Sequence, residues 1–215
     1  PEHRKSTPIP SRGSGPLRPR RVRDERADMN ARPVVFVYKE IIKGDLLKLV
    51  AASNNSLTGG GARDLRLPWK TFRSTMHRIF TEDGLGRGGK QIRWAEVTYL
   101  DVNDTPHTTT LEYWPPTSSR PTEDRISRIH ASPALGGQLP DPGRGRVFLV
   151  LVKFDDGTVR CDYAYETDLR AKGLWASEFS SQILNCMTAA SVRNGSRTVQ
   201  GYYDFISGKG FCHAD

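Results

Sequence analysis

From residue 33 onward, short runs of β-branched and aromatic residues alternate with polar segments that contain glycine and proline. Runs of this kind predict β-strands. The first covers residues 34–38, and the two clearest cover residues 146–154 and 158–165. An Asp-Asp-Gly sequence at residues 155–157 joins those two strands and strongly predicts a hairpin turn. Further strands are predicted at residues 64–68, 92–100, 108–113, 126–131 and 202–205.

Two other segments have apolar residues at helical spacing. The first covers residues 69–80, where the apolar positions are Trp69, Phe72, Met76 and Ile79. The second covers residues 178–190 and predicts an amphipathic helix. Residues 45–52 fit either a short helix or a strand, and the pattern leaves both open. Polar, glycine-rich loops are expected at residues 53–61 and 81–91.

Many short strands with two or more helices predict a mostly β fold of the α+β class. The arrangement they favour is a closed or nearly closed β-barrel with helical plugs. A chain of 215 residues suits one domain with a tail. Residues 1–32 are rich in Pro, Arg, Ser and Gly and show no periodicity, so they are predicted to be a disordered basic tail. The domain is expected to span residues 33–215.

The charge of the chain narrows the class of partner. There are 32 Lys and Arg residues against 24 Asp and Glu, which gives a formal net charge of +8. Such an excess attracts polyanions and favours nucleic acid or an anionic surface as the partner. The tail is either a solvated segment without a role or a basic arm that contacts phosphates. It holds much of the excess, at Arg18, Arg20, Arg21, Arg23 and Arg26.

The three cysteines, Cys161, Cys186 and Cys212, are not spaced like the ligands of a zinc site. Because their number is odd, a secreted disulfide framework is not expected, and reduced thiols in the cytoplasm are predicted. No apolar run reaches the roughly 20 residues that a membrane span needs. A membrane is therefore not predicted as a partner.

The sequence lacks the motifs of the common hydrolases. A nuclease centre of the PD-(D/E)XK type would need an acid where Leu151 stands, between Asp141 and Lys153. There is no G-x-S-x-G, no paired-histidine metal motif and no phosphate-binding G-x-x-x-x-G-K-[ST]. Cys212 and His213 lie in a C-terminal segment that is expected to be flexible. We therefore predict no catalytic residue, no metal site and no cofactor.

Two polar segments carry arginines beside carboxylates or other polar groups. The segment of residues 58–70 contains Arg63, Arg66 and Lys70. The segment of residues 118–128 contains Arg120, Glu123, Asp124, Arg125 and Arg128. Arginine pairs bidentately with guanine, and carboxylates accept from the cytosine amino group, so this mixture favours the recognition of base edges. The alternative is a pair of salt-bridged surface turns.

A third basic segment is the glycine-rich loop of residues 81–91. Its cations are Arg87 and Lys90. Either they contact DNA phosphates or the loop is a mobile surface segment without a role.

The order and spacing of these motifs resemble the N-terminal effector-binding domain of EcoRII-type restriction endonucleases. The first match runs from Lys48 through a polar loop with Thr-Gly-Gly at residues 58–60 to the strand that ends at Pro68. The second is Glu-Asp-Arg-Ile-Ser-Arg at residues 123–128. The third is the hairpin of residues 147–157, followed by a cysteine. Together the matches cover roughly residues 38–178 and include no counterpart of the family's catalytic domain.

The resemblance implies a DNA-binding pseudobarrel, similar in shape to plant auxin-response-type DNA-binding domains, in which two arms grip the major groove. It places Lys48 and Arg66 on one arm and Glu123 and Arg125 on the other. It implies double-stranded DNA as the partner, a nuclease domain or subunit as a second one, and a cytoplasmic location at the prokaryotic nucleoid. The target sequence stays open because the chain departs from the family pattern at Gly61, Arg120 and Asp124.

The sequence thus predicts a sequence-specific double-stranded DNA recognition module that does not itself cleave. It would be the regulatory domain of a restriction endonuclease or a stand-alone relative in a defence system. The residues expected to hold phosphates are Lys48, Lys70, Arg87 and Lys90. Those expected to give specificity are Arg63, Arg66, Glu123 and Arg125.

Two other functions stay open from the sequence. One is a small Mg²⁺-dependent restriction endonuclease with a non-standard site, for which the candidate acids are Asp101, Asp104 and Glu112. The other is a protein-interaction domain with a basic tail, whose partner is a protein and whose affinity for DNA resides in residues 1–32.

Overall fold

The computed structural model describes residues 31–50, 64–100, 105–118, 121–129, 140, 142–173, 175–194 and 198–214. Nearly all of the predicted tail and the whole of the predicted loop at residues 53–61 lie outside these ranges. The candidate site residues Arg63 and Arg120 and the candidate acids Asp101 and Asp104 also lie outside them.

Ten strands form one sheet in the order β10-β9-β1-β7-β8-β4-β5-β6-β2, with β3 paired to β4. All of its pairs are antiparallel except the short contact between β4 and β8. The strands are β1 Pro33–Glu40, β2 Leu65–Pro68, β3 Glu82–Leu85, β4 Gln91–Leu100, β5 Pro106–Trp114, β6 Glu123–Ser127, β7 Val147–Phe154, β8 Val159–Tyr165, β9 Val199–Asp204 and β10 Lys209–Ala214.

In the described part of the chain four helices accompany the sheet, and a short 3-10 turn covers Pro142–Arg144. They are α1 Lys43–Val50, α2 Trp69–Ile79, α3 Glu166–Arg170 and α4 Ser177–Asn194. Helix α2 contacts β1, β7 and β9 toward one end of the sheet and β2 and β6 at the other end. The sheet therefore curls around α2 into a half-barrel. The predicted mostly β, α+β class is confirmed at this level.

Strands β1 and β7 are buried on both faces, which explains why their sequences are continuously apolar. Val35 and Val37 face a core that also contains Phe72 of α2. Phe36 and Tyr38 face a second core, built with α3 and α4 on the other side of the sheet. The two-sided burial makes this half of the sheet the scaffold of the domain.

Several local predictions need correction. The predicted loop at residues 81–91 contains strand β3, and the predicted flexible C-terminus forms strand β10 on β9. Residues 45–52 were open between helix and strand, and their described part belongs to α1. The segment 118–128 is not a loop throughout, because its charged part is strand β6 between β5 and β2.

The cysteine prediction is wrong for two of the three thiols. A disulfide joins Cys186 of α4 to Cys212 of β10. An odd count excludes only complete pairing, and here one cysteine is left over. That residue, Cys161, is buried in the sheet, and its burial raises the pKa of the thiol. Within the described residues, no helix is long and apolar enough to cross a membrane.

Candidate nucleic-acid interface

The two arginine-bearing segments of the sequence meet in the fold as adjacent strands. Strand β2 pairs with β6 in an antiparallel register that sets Arg66 directly opposite Arg125. Alternation along β6 turns Asp124 and Ile126 toward the core. Arg125 and Arg66 therefore lie on the opposite face, directed away from the core.

Each of the two arginines is held by a carboxylate. The Arg66 guanidinium donates to Glu123 Oε1 at 3.2 Å, and both side chains are partly exposed, at 39% and 32%. The Arg125 guanidinium donates to Asp64 Oδ2, also at 3.2 Å, but these side chains are only 16% and 6% exposed. The site thus contains one partly exposed ion pair and one that is mostly buried.

Trp114 of β5 lies under the Arg125 guanidinium, beside the buried pair of Arg125 and Asp64. The Arg125 guanidinium carbon lies 5.6 Å from the centre of its indole ring, within the range of a cation–π contact. The indole N–H donates to Glu112 Oε2 at 3.1 Å and to Ser127 Oγ at 2.9 Å. The Ser127 hydroxyl in turn donates to Glu112 Oε2 at 3.1 Å. This network fixes the plane of the ring on which Arg125 rests.

Arg128 closes the network on its other side. It follows β6 directly, and its φ of 68° is a left-handed value that ends the extended strand. Its guanidinium donates to Glu112 Oε1 at 3.2 Å and stays half exposed. We call this surface the arginine patch, and its members are Asp64, Arg66, Glu112, Trp114, Glu123, Arg125, Ser127 and Arg128.

The β3–β4 hairpin packs against the arginine patch. Its turn is hydrogen bonded, with Gly86 N donating to Lys90 O at 2.8 Å. A Cβ at Gly86 would come within 2.4 Å of Trp114 Cη2, so only glycine lets the hairpin approach the indole this closely. Arg87 and Lys90 are exposed in this turn. The structure therefore brings two of the four predicted phosphate contacts next to the patch, on a hydrogen-bonded hairpin.

Asp124 lies behind the patch, on the core face of β6. Its side chain is 0% exposed, and burial raises its pKa from 3.8 to about 7. The Tyr113 hydroxyl and the Arg73 charge act in the opposite direction and lower this pKa. Asp124 was a candidate DNA contact, but a fully buried side chain cannot reach a ligand on the other face. We therefore remove it from the contact set.

Buried polar atoms without partners concentrate at this end of the sheet. Among the described residues, seven have buried side-chain oxygen or nitrogen atoms that lack a partner at hydrogen-bonding geometry. Only Gln200 of β9 lies elsewhere. The other six are in or beside β2, β5 and β6, namely Asp64, Arg66, Tyr113, Glu123, Asp124 and Arg125. Tyr113 and Asp124 are fully buried on the core face and interact with each other, so a ligand on the outer face could concern only Asp64, Arg66, Glu123 and Arg125. Buried groups without partners are rare in folded proteins, and this cluster of four needs an explanation such as a bound ligand.

For two further predicted site residues the structure describes only the backbone position. Lys48 lies in α1 and Lys70 in α2, the helix that follows β2 without a break, and their side chains are not described. Sequence reasoning missed Asp64 and Ser127, and it considered Glu112 only as a metal ligand. Trp114 was missed because a tryptophan in a strand is ordinarily part of a core.

The nuclease alternative gains no support from the described residues. The Glu112 carboxylate accepts hydrogen bonds on both oxygens, from Arg128 on one and from Trp114 and Ser127 on the other. A carboxylate whose two oxygens both accept hydrogen bonds from side chains serves to orient those side chains. In the described ranges no three His, Cys, Asp or Glu side chains are grouped so that they could hold a metal ion.

Comparison with protein-family models, with characterised proteins and with solved structures finds no match for this chain. The resemblance to EcoRII-type effector-binding domains therefore stays a prediction that rests on short sequence motifs. What the chain does must be argued from the arginine patch itself and from the hairpin that packs against it.

Proposed function

We propose that this chain is a sequence-specific recognition module for double-stranded DNA, with a pseudobarrel fold of the EcoRII effector-binding type. Its role would be regulatory, within a restriction endonuclease or a related defence system, and the chain itself would not cleave. The observation that carries the proposal is the cross-strand pair of Arg66 and Arg125, each held by a carboxylate.

The chemistry of the patch favours base edges over phosphates. A surface that only bound phosphates would need cations without acids, since every carboxylate repels the DNA backbone. Here Glu123 and Asp64 offset much of the charge of the two arginines. What is left is a set of donors with one partly exposed acceptor, Glu123. Such donors match guanine, and such an acceptor matches the cytosine amino group.

The phosphate contacts come from the rim of the patch. Arg87 and Lys90 extend from the hairpin next to Trp114, and Arg128 is half exposed beside Glu112. Contacts of this kind fix the register of a protein on the duplex but carry no sequence information. We keep in the same class Lys48, which the resemblance implies, and Lys70, which lies at the start of α2 directly after β2.

Selection of bound duplexes from a randomised pool tests the proposal. We expect the full chain to enrich a defined sequence. The control is the full chain with glutamine at Arg18, Arg20, Arg21, Arg23 and Arg26, which should enrich the same sequence. Enrichment of no sequence, with DNA binding that disappears in the control, would instead favour a protein-interaction domain with a basic tail.

Incubation of the chain with plasmid and Mg²⁺ tests the absence of cleavage. We expect the plasmid to stay intact at protein concentrations that saturate it. Cleavage that EDTA prevents would overturn the assignment of recognition without catalysis and favour the nuclease alternative.

A further inference from the structure

We propose that Asp64 is a specificity-determining positioning residue. It holds the Arg125 guanidinium against Trp114 and cancels its charge. Arg125 then recognises base edges and is attracted only weakly to phosphates. The inference rests on the proposed function, and it adds a residue that the sequence did not single out. It also assigns the two ion pairs of the patch to different tasks.

The geometry around Asp64 restrains Arg125 from two sides. Asp64 directly precedes β2, and its carboxylate accepts from Arg125 at 3.2 Å while only 6% of its side chain is exposed. The Trp114 ring lies along the guanidinium at 5.6 Å. A guanidinium fixed by an acid and an aromatic face loses little further freedom when it meets a base.

The buried position of the pair makes it an unusual DNA contact. Charges that are shielded from water interact more strongly than solvated ones, so the Asp64 carboxylate neutralises Arg125 effectively. Asp64 Oδ1 and Arg125 Nε have no partner among the described residues. Among the described residues the pair is thus joined by one hydrogen bond. Arg125 Nε is itself buried, so an acceptor from outside can reach the guanidinium only through the 16% of the side chain that is exposed.

A neutralised arginine distinguishes between the two kinds of DNA acceptor. Attraction to a phosphate depends on the net charge, and each phosphate that is neutralised adds to the salt dependence of binding. A bidentate contact to guanine depends on the direction of the N–H groups, which Asp64 leaves in place. Asp64 therefore lowers the affinity for an incorrect duplex more than it lowers the affinity for the correct duplex.

The second ion pair does not have this property. Arg66 and Glu123 are 39% and 32% exposed, so water and salt compete with their contact, and either side chain can turn to the DNA. Glu123 is then a direct acceptor, whereas Asp64 at 6% exposure stays inside. This contrast in burial is why we assign positioning to Asp64 and contact to Glu123.

The test compares the full chain with its Asp64→Asn variant on two duplexes of equal length and composition, the selected sequence and a scrambled one. Asparagine keeps the shape and removes the charge. We expect tighter binding to the scrambled duplex and a discrimination ratio that falls about tenfold, the scale of one base-specific contact. The slope of log affinity against log salt should steepen by about 0.9, the value of one more phosphate contact.

Two further variants isolate the effect. Glu166→Gln removes a carboxylate that pairs with Arg170 on α3, at 2.8 Å and away from the patch, and it should leave the discrimination ratio unchanged. In an Arg125→Ala background, Asp64→Asn should no longer alter discrimination, because the residue through which it acts is gone. Should Asp64→Asn fail to fold, Asp64→Glu keeps the charge and is expected to reduce discrimination at an unchanged salt slope.

The outcomes separate the inference from the proposed function. A wild-type chain that binds both duplexes equally overturns the proposed function, and the inference fails with it. A wild-type chain that discriminates while Asp64→Asn discriminates equally well overturns the inference alone. The same holds if Glu166→Gln shifts the ratio as much as Asp64→Asn does, or if Asp64→Asn acts equally in the Arg125→Ala background.

Discussion

The two ends of the half-barrel differ in how completely their buried charged side chains are hydrogen bonded. Around β1, β7 and β9, Arg146 contacts both oxygens of Glu40, at 2.7 Å and 2.6 Å, and Glu40 also accepts from Val199 N at 2.8 Å. Around β2 and β6, Arg125 reaches Asp64 through one hydrogen bond of 3.2 Å. The first end has partners for its charges, while the second leaves buried polar atoms open.

On the basis of this difference we assign the first end as the scaffold of the fold and the second end as the binding site. A charge pair that is fully hydrogen bonded contributes to the rigidity of the fold and offers nothing to a ligand. A pair with buried donors and acceptors that lack partners is costly to the fold, and a ligand that satisfies them is one explanation for its presence. Changes at the first end should therefore affect the stability of the fold, and changes to the outward-facing residues of the second end should affect DNA binding.

The largest expected effect is that of Arg146→Ala at the scaffold end. It leaves the Glu40 carboxylate largely buried without its main partner, which costs about 3–5 kcal/mol of unfolding free energy. Urea unfolding followed by circular dichroism measures the loss. The control, Arg170→Ala, removes an exposed pair between Glu166 and Arg170 on α3 and should cost less than about 0.5 kcal/mol. Equal losses in both variants would contradict the assignment of a scaffold.

The next effect is a pH dependence that comes from Asp124. Because its pKa is raised from 3.8 to about 7, the folded protein keeps a proton that the unfolded chain loses first. Asp124 therefore lowers the stability as the pH rises from about 4 to about 7, by up to about 4 kcal/mol. The Asp124→Asn variant is neutral throughout, so its unfolding free energy relative to wild type should rise over this window. A constant difference between pH 4 and 8 would show that Asp124 is ionised in the fold.

Loss of the disulfide should act at the scaffold end only. Cys186 and Cys212 are 26 residues apart in sequence, and a closed loop of this size contributes about 3 kcal/mol. Thermal unfolding of the Cys212→Ser variant measures the loss. At a temperature where the variant is folded, its affinity for the selected duplex should equal that of the wild type. A parallel loss of specificity would mean that the two ends are coupled.

The smallest effect is expected from Lys90→Ala on the hairpin. As a phosphate contact, Lys90 should contribute equally to the binding of selected and scrambled duplexes, and its loss should reduce the salt slope by about 0.9. Lys172→Ala is the matched control, because Lys172 is exposed near α3. A change in the discrimination ratio of Lys90→Ala would instead place this lysine among the base contacts.

The scaffold was predictable from sequence because its signals are local. Strands β1, β7 and β8 are long apolar runs, and the turn between β7 and β8 carries the Asp-Asp-Gly signal at residues 155–157. Helices α2 and α4 show helical periodicity over several turns. In contrast, β10 has little apolar alternation and owes its place to pairing with β9 and to the disulfide at Cys212.

The site was predictable only as a set of segments. Glu123, Asp124 and Arg125 have the composition of a surface turn, and they form a strand because β2 and β5 provide backbone partners on both sides. The register that sets Arg66 opposite Arg125 depends on residues far apart in sequence. The inward turn of Asp124 follows from alternation with Ile126 along β6, a signal that could be used only once residues 123–127 were known to form a strand.

The most direct test of the central claim is the affinity of Arg125→Ala for the selected and the scrambled duplex, measured at one salt concentration. We expect a loss of about 1–3 kcal/mol in binding free energy on the selected duplex and little change on the scrambled one. An equal loss on both duplexes would contradict the recognition of bases by Arg125.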